Sequence, residues 1–335
     1  MSLTVFICAL IGAFVTYRAT PWLARYLTRI DLVVKDQNKK HKPLIPISGG
    51  LAVFSGFFIG SMVFLFLRTF LDTGANYQLN LDNNSLVFLF AGLISIFIAT
   101  LIGFLDDLII NSSKEKSTGL KQCQKPMLTL VAAVPLMVVN AGTSVMSLPI
   151  IGEVNWGMLY PLLLVPIGFV GAANMVNMLA GFNGLETGMG IVYFFSLGLY
   201  SYVHGSYIAT LIALMAFASL CAFWMFNKYP AKILPGDSLT YFLGGTLAVV
   251  AILGNIERAA LIISIPFFIE FILKAKANFN ADTYGVYVNG KIRSKYEEIY
   301  SIPHLLTKTG NFTEKQIVYT MIAMQFFFSA LIWII

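Results

Sequence analysis

Charged residues are banded along this chain, and long apolar blocks fill the spaces between the bands. The runs Leu86 to Leu105, Met158 to Leu185 and Thr187 to Phe226 contain no Asp, Glu, Lys or Arg. A helix that crosses a bilayer needs about 20 apolar residues, so each run is long enough to span. Reading apolar runs between polar breaks predicts ten spans, near residues 3–21, 48–70, 86–106, 126–147, 158–176, 188–203, 206–226, 238–254, 258–274 and 316–334. The first breaks at Arg18 and Pro21, and the ninth is short and contains Pro266 and Glu270. The expected fold class is all-α, a polytopic bundle of about ten transmembrane helices. No repeat, low-complexity tract or long linker divides residues 1–335, so one membrane domain is expected.

Composition agrees with that pattern. A chain that is 58% hydrophobic and 11% charged, with a mean hydropathy of +0.78, has too much apolar surface for one water-soluble core. Charge then supplies an orientation. Of the 22 Lys and Arg residues, seven lie in 18–42, four in 114–125, two in 228–232 and seven in 274–315, leaving only Arg68 and Arg258 on the other face. By the positive-inside rule these loops are cytoplasmic and both termini lie outside. The net charge of +6 therefore describes membrane orientation, not nucleic-acid affinity. The first four residues carry no Lys or Arg, so the first apolar segment reads as a retained helix instead of a signal peptide. Cys8, Cys123 and Cys221 are odd in number and scattered, which suggests neither a disulfide framework nor a zinc site.

The outward loops, such as Asp72 to Asn84 and Ala141 to Trp156, are nearly free of catalytic residue types, and the sequon Asn83-Asn84-Ser85 is too short a pattern to weigh. The candidate chemistry sits at cytoplasmic helix ends. Asp106 and Asp107 close the third span, where acids oppose the helix dipole and a Lys or Arg would be the cheaper stop. Ionisable groups at membrane depth usually mark a site. Successive helical residues point about 100° apart, so one carboxylate can address a metal or substrate while a basic neighbour holds the other. Topology alone accounts for Lys114, Lys116 and Lys121, but Lys125 lies at the membrane surface beside the aspartates and could neutralise a phosphate. The stretch Gly171 to Gly190 holds no basic residue, so topology does not explain its polarity. Asn174 and Asn177, three apart, share a helix face. Gly181, Gly184 and Gly188 allow a tight turn whose N–H groups suit a phosphate. Asp237 stands where a helix N-cap belongs, yet hard oxygens from several helices are also what magnesium takes alongside substrate phosphates. The loop 274–315, with Lys291, Arg293, Lys295, His304 and Lys308, reads either as a solvated basic loop or as a lid that grips a diphosphate or sugar. Glu270 is an intramembrane acid without an obvious role.

Four stretches together resemble the polyprenyl-phosphate N-acetylhexosamine-1-phosphate transferase family across nearly the whole chain. They are Lys39-Lys-His-Lys-Pro-Leu-Ile-Pro-Ile-Ser-Gly-Gly50, Gly103-Phe-Leu-Asp-Asp-Leu108, Asn174 to Glu186, and Gly236-Asp237-Ser238. The third looks closest to the archaeal and eukaryotic dolichyl-phosphate branch, because bacterial relatives carry aspartates near Ala180 and Asn183. The resemblance implies a ten-helix enzyme that joins N-acetylglucosamine-1-phosphate from UDP-N-acetylglucosamine to a polyprenyl or dolichyl phosphate and releases UMP. It implies Mg²⁺, with Mn²⁺ as a substitute, held by Asn177 and Asp237. Lys125 would contact phosphate, Asp106 and Asp107 would orient or deprotonate the lipid phosphate, and Asn174, Asn183 and Glu186 would approach the soluble substrate. Its setting would be the cell membrane of a prokaryote, an archaeon first, or the endoplasmic reticulum of a eukaryote. A homodimer is left open. Eukaryotic members present an Arg-His-Arg cluster in the ninth loop; here only Pro303-His304 matches, with Arg293 and Lys308 at other spacing, which leaves another N-acetylhexosamine or a muramyl substrate as alternatives. A secondary transporter is the competing class, but it would place its polar residues near the midplane.

Overall fold

The computed structural model describes residues 3–71, 83–109, 119–148 and 152–334, and helices dominate it. Lys114, Lys116 and most of the Asp72 to Asn84 loop fall outside the described residues. The long helices are α1 (Leu3–Arg29), α2 (Gly50–Leu71), α3 (Asn83–Ile109), α4 (Gln124–Val138), α5 (Val165–Met178), α6 (Leu185–Val203), α7 (Tyr207–Asn227), α8 (Gly236–Gly254) and α12 (Glu314–Leu331). Shorter helices are α9 (Glu257–Ile263), α10 (Ile265–Lys276) and α11 (His304–Thr307). Three two-stranded hairpins qualify the all-α expectation: β1 (Val33–Lys35) with β2 (Leu44–Pro46), β3 (Val145–Leu148) with β4 (Gly152–Asn155), and β5 (Val286–Val288) with β6 (Lys291–Arg293). Each of the ten anticipated segments holds a helix or a helix pair. Among the described residues six helical stretches are long and apolar enough to cross a bilayer: α1, α2, α3, α7, α8 and Tyr160–Met178, in which a five-residue π-helical turn leads into α5. The chain is thus a multi-pass membrane protein.

Three anticipated boundaries differ, each for a local reason. The first helix runs on past Arg18 and Pro21 to Arg29, because the Thr16 and Thr20 hydroxyls donate to the Gly12 and Thr16 carbonyls and tie down the turns before the proline. The fourth stops at Val138, where Asn140 and Gly142 take positive φ and the apolar Val145-Met146 that follow turn out to be strand. The ninth breaks at Ser264, since Pro266 in the first turn of α10 has no N–H to continue α9.

Helix α8 is buried along nearly its whole length, with α2, α3, α5 and α7 around it. Small residues let the backbones close in, as lipid-embedded helices require. A Cβ on Gly103 would lie 2.2 Å from the Asp237 carbonyl, and one on Gly244 would lie 2.4 Å from that of Ala172. These contacts fix α3 and α5 against α8 at the end of the bundle where the polar residues gather.

Candidate active site

Lys125 is the hub. Its ammonium lies 2.5 Å from the Asp106 carboxylate and 2.9 Å from that of Asp237, so side chains from α3, α4 and α8 meet at one nitrogen. The Asn177 amide of α5 donates to the same Asp237 oxygen at 3.0 Å, and its carbonyl accepts from Thr240 at 2.8 Å. Asn174, one turn earlier, donates to Thr129 and to the Val170 carbonyl and accepts from the Tyr241 hydroxyl. Four of the helix ends anticipated from the sequence are therefore brought together.

The two adjacent aspartates divide the work. Asp107 is fully buried, and its carboxylate accepts from the backbone N–H of Asp237 at 2.7 Å, from that of Ser238 at 3.1 Å, and from the Ser48 hydroxyl at 2.8 Å. It is the N-cap of α8, supplied from another helix, because Pro235 at the cap position makes no side-chain bond of its own. The negative charge that opposes the dipole of α3 is stabilised by the dipole of α8. Gly236, at φ 71°, has no Cβ because one would sit 2.3 Å from an Asp107 oxygen. The basic neighbour belongs to Asp106, which also accepts from the Leu120 N–H and lies beneath Gly119. Lys125 and Asp237 keep appreciable access, at 22% and 25% side-chain exposure, against 2% for Asp106. Asp237 is accordingly no cap; capping falls to Asp107, which leaves the Asp237 carboxylate free for the cluster.

A second network adjoins the first. Asn183 donates through its side chain to Asp36 at 2.9 Å and through its N–H to Glu314 at 2.9 Å, and Lys39 joins Asp36 and Glu314. Glu186 accepts from the Gly181 N–H at 2.8 Å, while its other oxygen is buried with no hydrogen-bond partner among the described residues. An orphaned buried carboxylate oxygen marks a place where a donor is missing. Asp36 and Glu314 went unnoticed in the sequence, and Lys39 entered only as the head of a family-like stretch, since a basic loop and a helix start far apart give no local sign of meeting.

The loop 274–315 is folded down onto this end. Glu270 accepts from the Ser301 hydroxyl and the Ile302 N–H, both at 2.7 Å, and Lys274 donates to the Ala281 carbonyl and the Thr283 hydroxyl. Glu270 is thus a buried anchor for the loop. Asn38 donates to the Gly181 carbonyl and accepts from the Gly285 N–H, tying loop to turn. His304 is not at the cluster. Its buried ring accepts from the Tyr300 N–H at Nδ1, 3.2 Å, and donates from Nε2 to the Asp282 carbonyl, 3.0 Å. Those partners fix the neutral Nε2–H tautomer, and burial holds its protonation below the usual imidazole range. Arg293 projects from β6 into solvent. Neither residue, offered as a candidate substrate contact, reaches the Lys125 cluster in this structure.

A groove of 260 Å³ with almost wholly apolar walls runs along α5, α8, α9 and α10. Gly171, Ala172 and Met175 line it within a turn of Asn174 and Asn177, and Tyr160, hydrogen-bonded to Glu257, lines its far end.

Residues 89–255, which span α3 to α8 and most of the cluster, match the sequence profile of glycosyl transferase family 4. A protein of Saccharolobus solfataricus, provisionally named UDP-N-acetylglucosamine–dolichyl-phosphate N-acetylglucosaminephosphotransferase, is 35% identical over 98% of this chain and 96% of its own length. The chain belongs to glycosyl transferase family 4. A Sulfolobus acidocaldarius protein with the same provisional name is 30% identical over 98% and 95% of the two chains. The phospho-N-acetylmuramoyl-pentapeptide-transferase of Lactiplantibacillus plantarum is 30% identical to this family 4 member over 81% and 82%.

Proposed function

We propose that this protein transfers N-acetylglucosamine-1-phosphate from UDP-N-acetylglucosamine to a dolichyl or other polyprenyl phosphate, giving the lipid-diphosphate sugar and UMP. The observation that carries the reading is the Lys125 ammonium held between carboxylates of α3 and α8, with an apolar groove lined by α5 within a turn of Asn177. One reactant has a diphosphate and the other a long apolar tail. A charged cluster beside an apolar groove suits that pair. Relatives aligned over almost the whole chain support N-acetylglucosamine over a muramyl substrate. A transporter would keep its polar residues near the bilayer midplane, whereas these lie at helix ends.

The donor set fits a hard divalent cation. Among the described residues no cluster of three or more His, Cys, Asp and Glu side chains is poised to hold a metal. Two carboxylates and an amide are nevertheless enough for magnesium, which takes one or two protein carboxylates and fills its sphere with water and substrate phosphate. Asp237 and Asn177, with Asp106 beside them, would hold it, and bound there it would offset charge on the departing UMP. Lys125 supplies a fixed positive charge for phosphate oxygens, and Asp106 keeps that ammonium in place. An oxygen of the lipid phosphate forms the new bond to the sugar-bearing phosphorus, and the bond from that phosphorus to the UMP oxygen breaks. Such transfer asks the protein mainly for positioning and charge neutralisation. Direct displacement is favoured because Asn183 stands where bacterial relatives carry a carboxylate, and an amide is a poor nucleophile.

On this reading ten helical segments span the membrane as one domain, both termini lie outside, and the cluster faces the cytoplasm. The relatives' archaeal sources favour the cell membrane, and the folded loop 274–315 acts as a lid over the turn at Gly181. The test is UMP release by purified protein supplied with UDP-N-acetylglucosamine, with and without lipid phosphate and Mg²⁺. Asp237→Ala should abolish release while the protein remains folded. Release that ignores the lipid phosphate would sink the reading, and a trapped phospho-enzyme would refute direct displacement.

A further inference from the structure

Helices α7 and α12 both pack on α6 but make almost no contact with each other. The crevice between them holds a cavity of 180 Å³ lined by Trp224, Lys228, Tyr229, Lys315, Val318 and Tyr319, with Asn183 at its inner end. Behind it, glycines at the start of α6 let side chains of α7 and α12 pack down onto that helix. A Cβ on Gly188 would lie 2.3 Å from Ile322 of α12 and 2.9 Å from Trp224 of α7, and one on Gly184 would lie 2.9 Å from Trp224. Further along, Phe195 of α6 and Phe217 of α7 continue the apolar lane, their rings 5.5 Å apart, and Phe195 is exposed.

The mouth of the crevice is cationic. Lys228 and Lys315 both line it beside Tyr229, and the Lys315 ammonium lies 5.3 Å from the Tyr229 ring centroid. Neither lysine is in an ion pair among the described residues, unlike Lys39, Lys125, Lys274 and Lys295. A second hollow of 210 Å³ shares Tyr229 and Lys315 and opens toward the β5–β6 hairpin. Two unpaired ammonium groups above an apolar lane, flanked by Trp and Tyr from membrane helices, form the arrangement that interfacial lipid contacts take.

We propose that this crevice binds an anionic phospholipid of the surrounding leaflet, with its phosphate between Lys228 and Lys315 and one chain along α6 between α7 and α12. The occupant is a resident lipid, separate from the acceptor that the groove along α5 would hold. Charge complementarity argues for the headgroup, and the walls, contributed by α7 together with α6 and α12, which span the membrane on the ten-segment reading, argue for a lipid over a soluble anion. Near a membrane surface each lysine adds about 1 kcal/mol to the attraction for an anionic lipid, so the pair amounts to about thirtyfold.

The experiment uses the full chain in detergent micelles with Trp22, Trp156 and Trp333 replaced by Phe, leaving Trp224 as the reporter. Phosphatidylglycerol or phosphatidylcholine with brominated chains is titrated in, and quenching of Trp224 is followed. The expected result is half-quenching at about thirtyfold less phosphatidylglycerol than phosphatidylcholine at low salt. The preference should shrink at high salt and vanish in the double variant Lys228→Gln, Lys315→Gln. Equal quenching by the two lipids, or a preference that survives the double variant, overturns the proposal. Relief of phosphatidylglycerol quenching by millimolar inorganic phosphate or UMP would assign the two lysines to a soluble phosphate and overturn the lipid as occupant.

Discussion

Replacing Asp107 by Asn keeps the size of a fully buried side chain and removes its charge, which makes it a sharp probe of how the cluster is built. The carboxylate takes three donors: two backbone N–H groups in the first turn of α8 and the Ser48 hydroxyl. An amide offers one acceptor oxygen and turns an NH₂ toward groups that are themselves donors, so at least one backbone N–H is left without a partner. A buried donor left unpaired costs about 1–3 kcal/mol, and losing the charge at a helix N-terminus costs roughly 0.3–2 kcal/mol more. The sum, about 1.3–5 kcal/mol, corresponds to a fall in unfolding temperature on the order of 2–7 °C for a chain of this length. Asp237 sits on the backbone that would move, so transfer should fall as well, by about a hundredfold for a displacement near 1 Å. Asp106→Asn is the matched control. Its oxygen can still accept from Leu120, and Lys125 still has Asp237, so stability should change by no more than about 1 kcal/mol while UMP release collapses. The assay is unfolding of the purified protein in detergent, followed by intrinsic fluorescence, together with UMP release for both variants. If Asp107→Asn unfolds at the wild-type temperature while transfer is lost, the carboxylate is a reacting group and the capping argument fails.

Lys125→Met should leave Asp106 and Asp237 facing each other without a counter-charge and cut UMP release by at least about a hundredfold; Lys125→Arg should restore little, because a planar guanidinium does not fit a seat built for one ammonium, and full rescue by Arg would contradict this. Glu270→Gln should loosen the loop 274–315, since one amide oxygen cannot serve both Ser301 and Ile302; proteolytic nicking within the loop should rise about tenfold, for a loss near 1.4 kcal/mol, and an unchanged rate would count against the anchor. His304 gives a pH dependence of definite sign. Its folded protonation lies below the usual imidazole value near 6.5, so the opened loop binds more protons and closure is favoured above that value and progressively lost as pH falls beneath it. Hydrogen exchange of the loop amides, corrected for intrinsic rates, should accelerate from pH 7.5 to 5.5 in the wild type and lose that extra acceleration in His304→Gln.

How much of this was legible in the sequence follows from how far apart the partners lie. The bilayer imposes a local rule, a contiguous apolar run, so the helices could be found from the chain alone. The boundary errors arise where a local signal had two readings: Val145 and Met146 are as apolar in a strand as in a helix, and Pro21 ends some helices and is accommodated in others. Asp106, Lys125 and Asn177 were legible as a group because each is a polar residue that a helix end does not need, and Asp237 joined them as a further hard oxygen at a neighbouring helix end although a cap would also explain it. The roles within the group were not. The 100° between Asp106 and Asp107 says that they diverge, but which one meets Lys125 and which one meets the N-terminus of α8 depends on how α3 rotates against α8, and that is set by Gly103 and Gly236 at the contact. The bond between Lys39 and Glu314 joins positions 275 residues apart, and nothing near either residue announces the other. His304 fails for the opposite reason. A histidine in a basic loop looks free to meet a sugar until the chain folds back and offers it one N–H and one carbonyl, after which both ring nitrogens are spent on holding the loop.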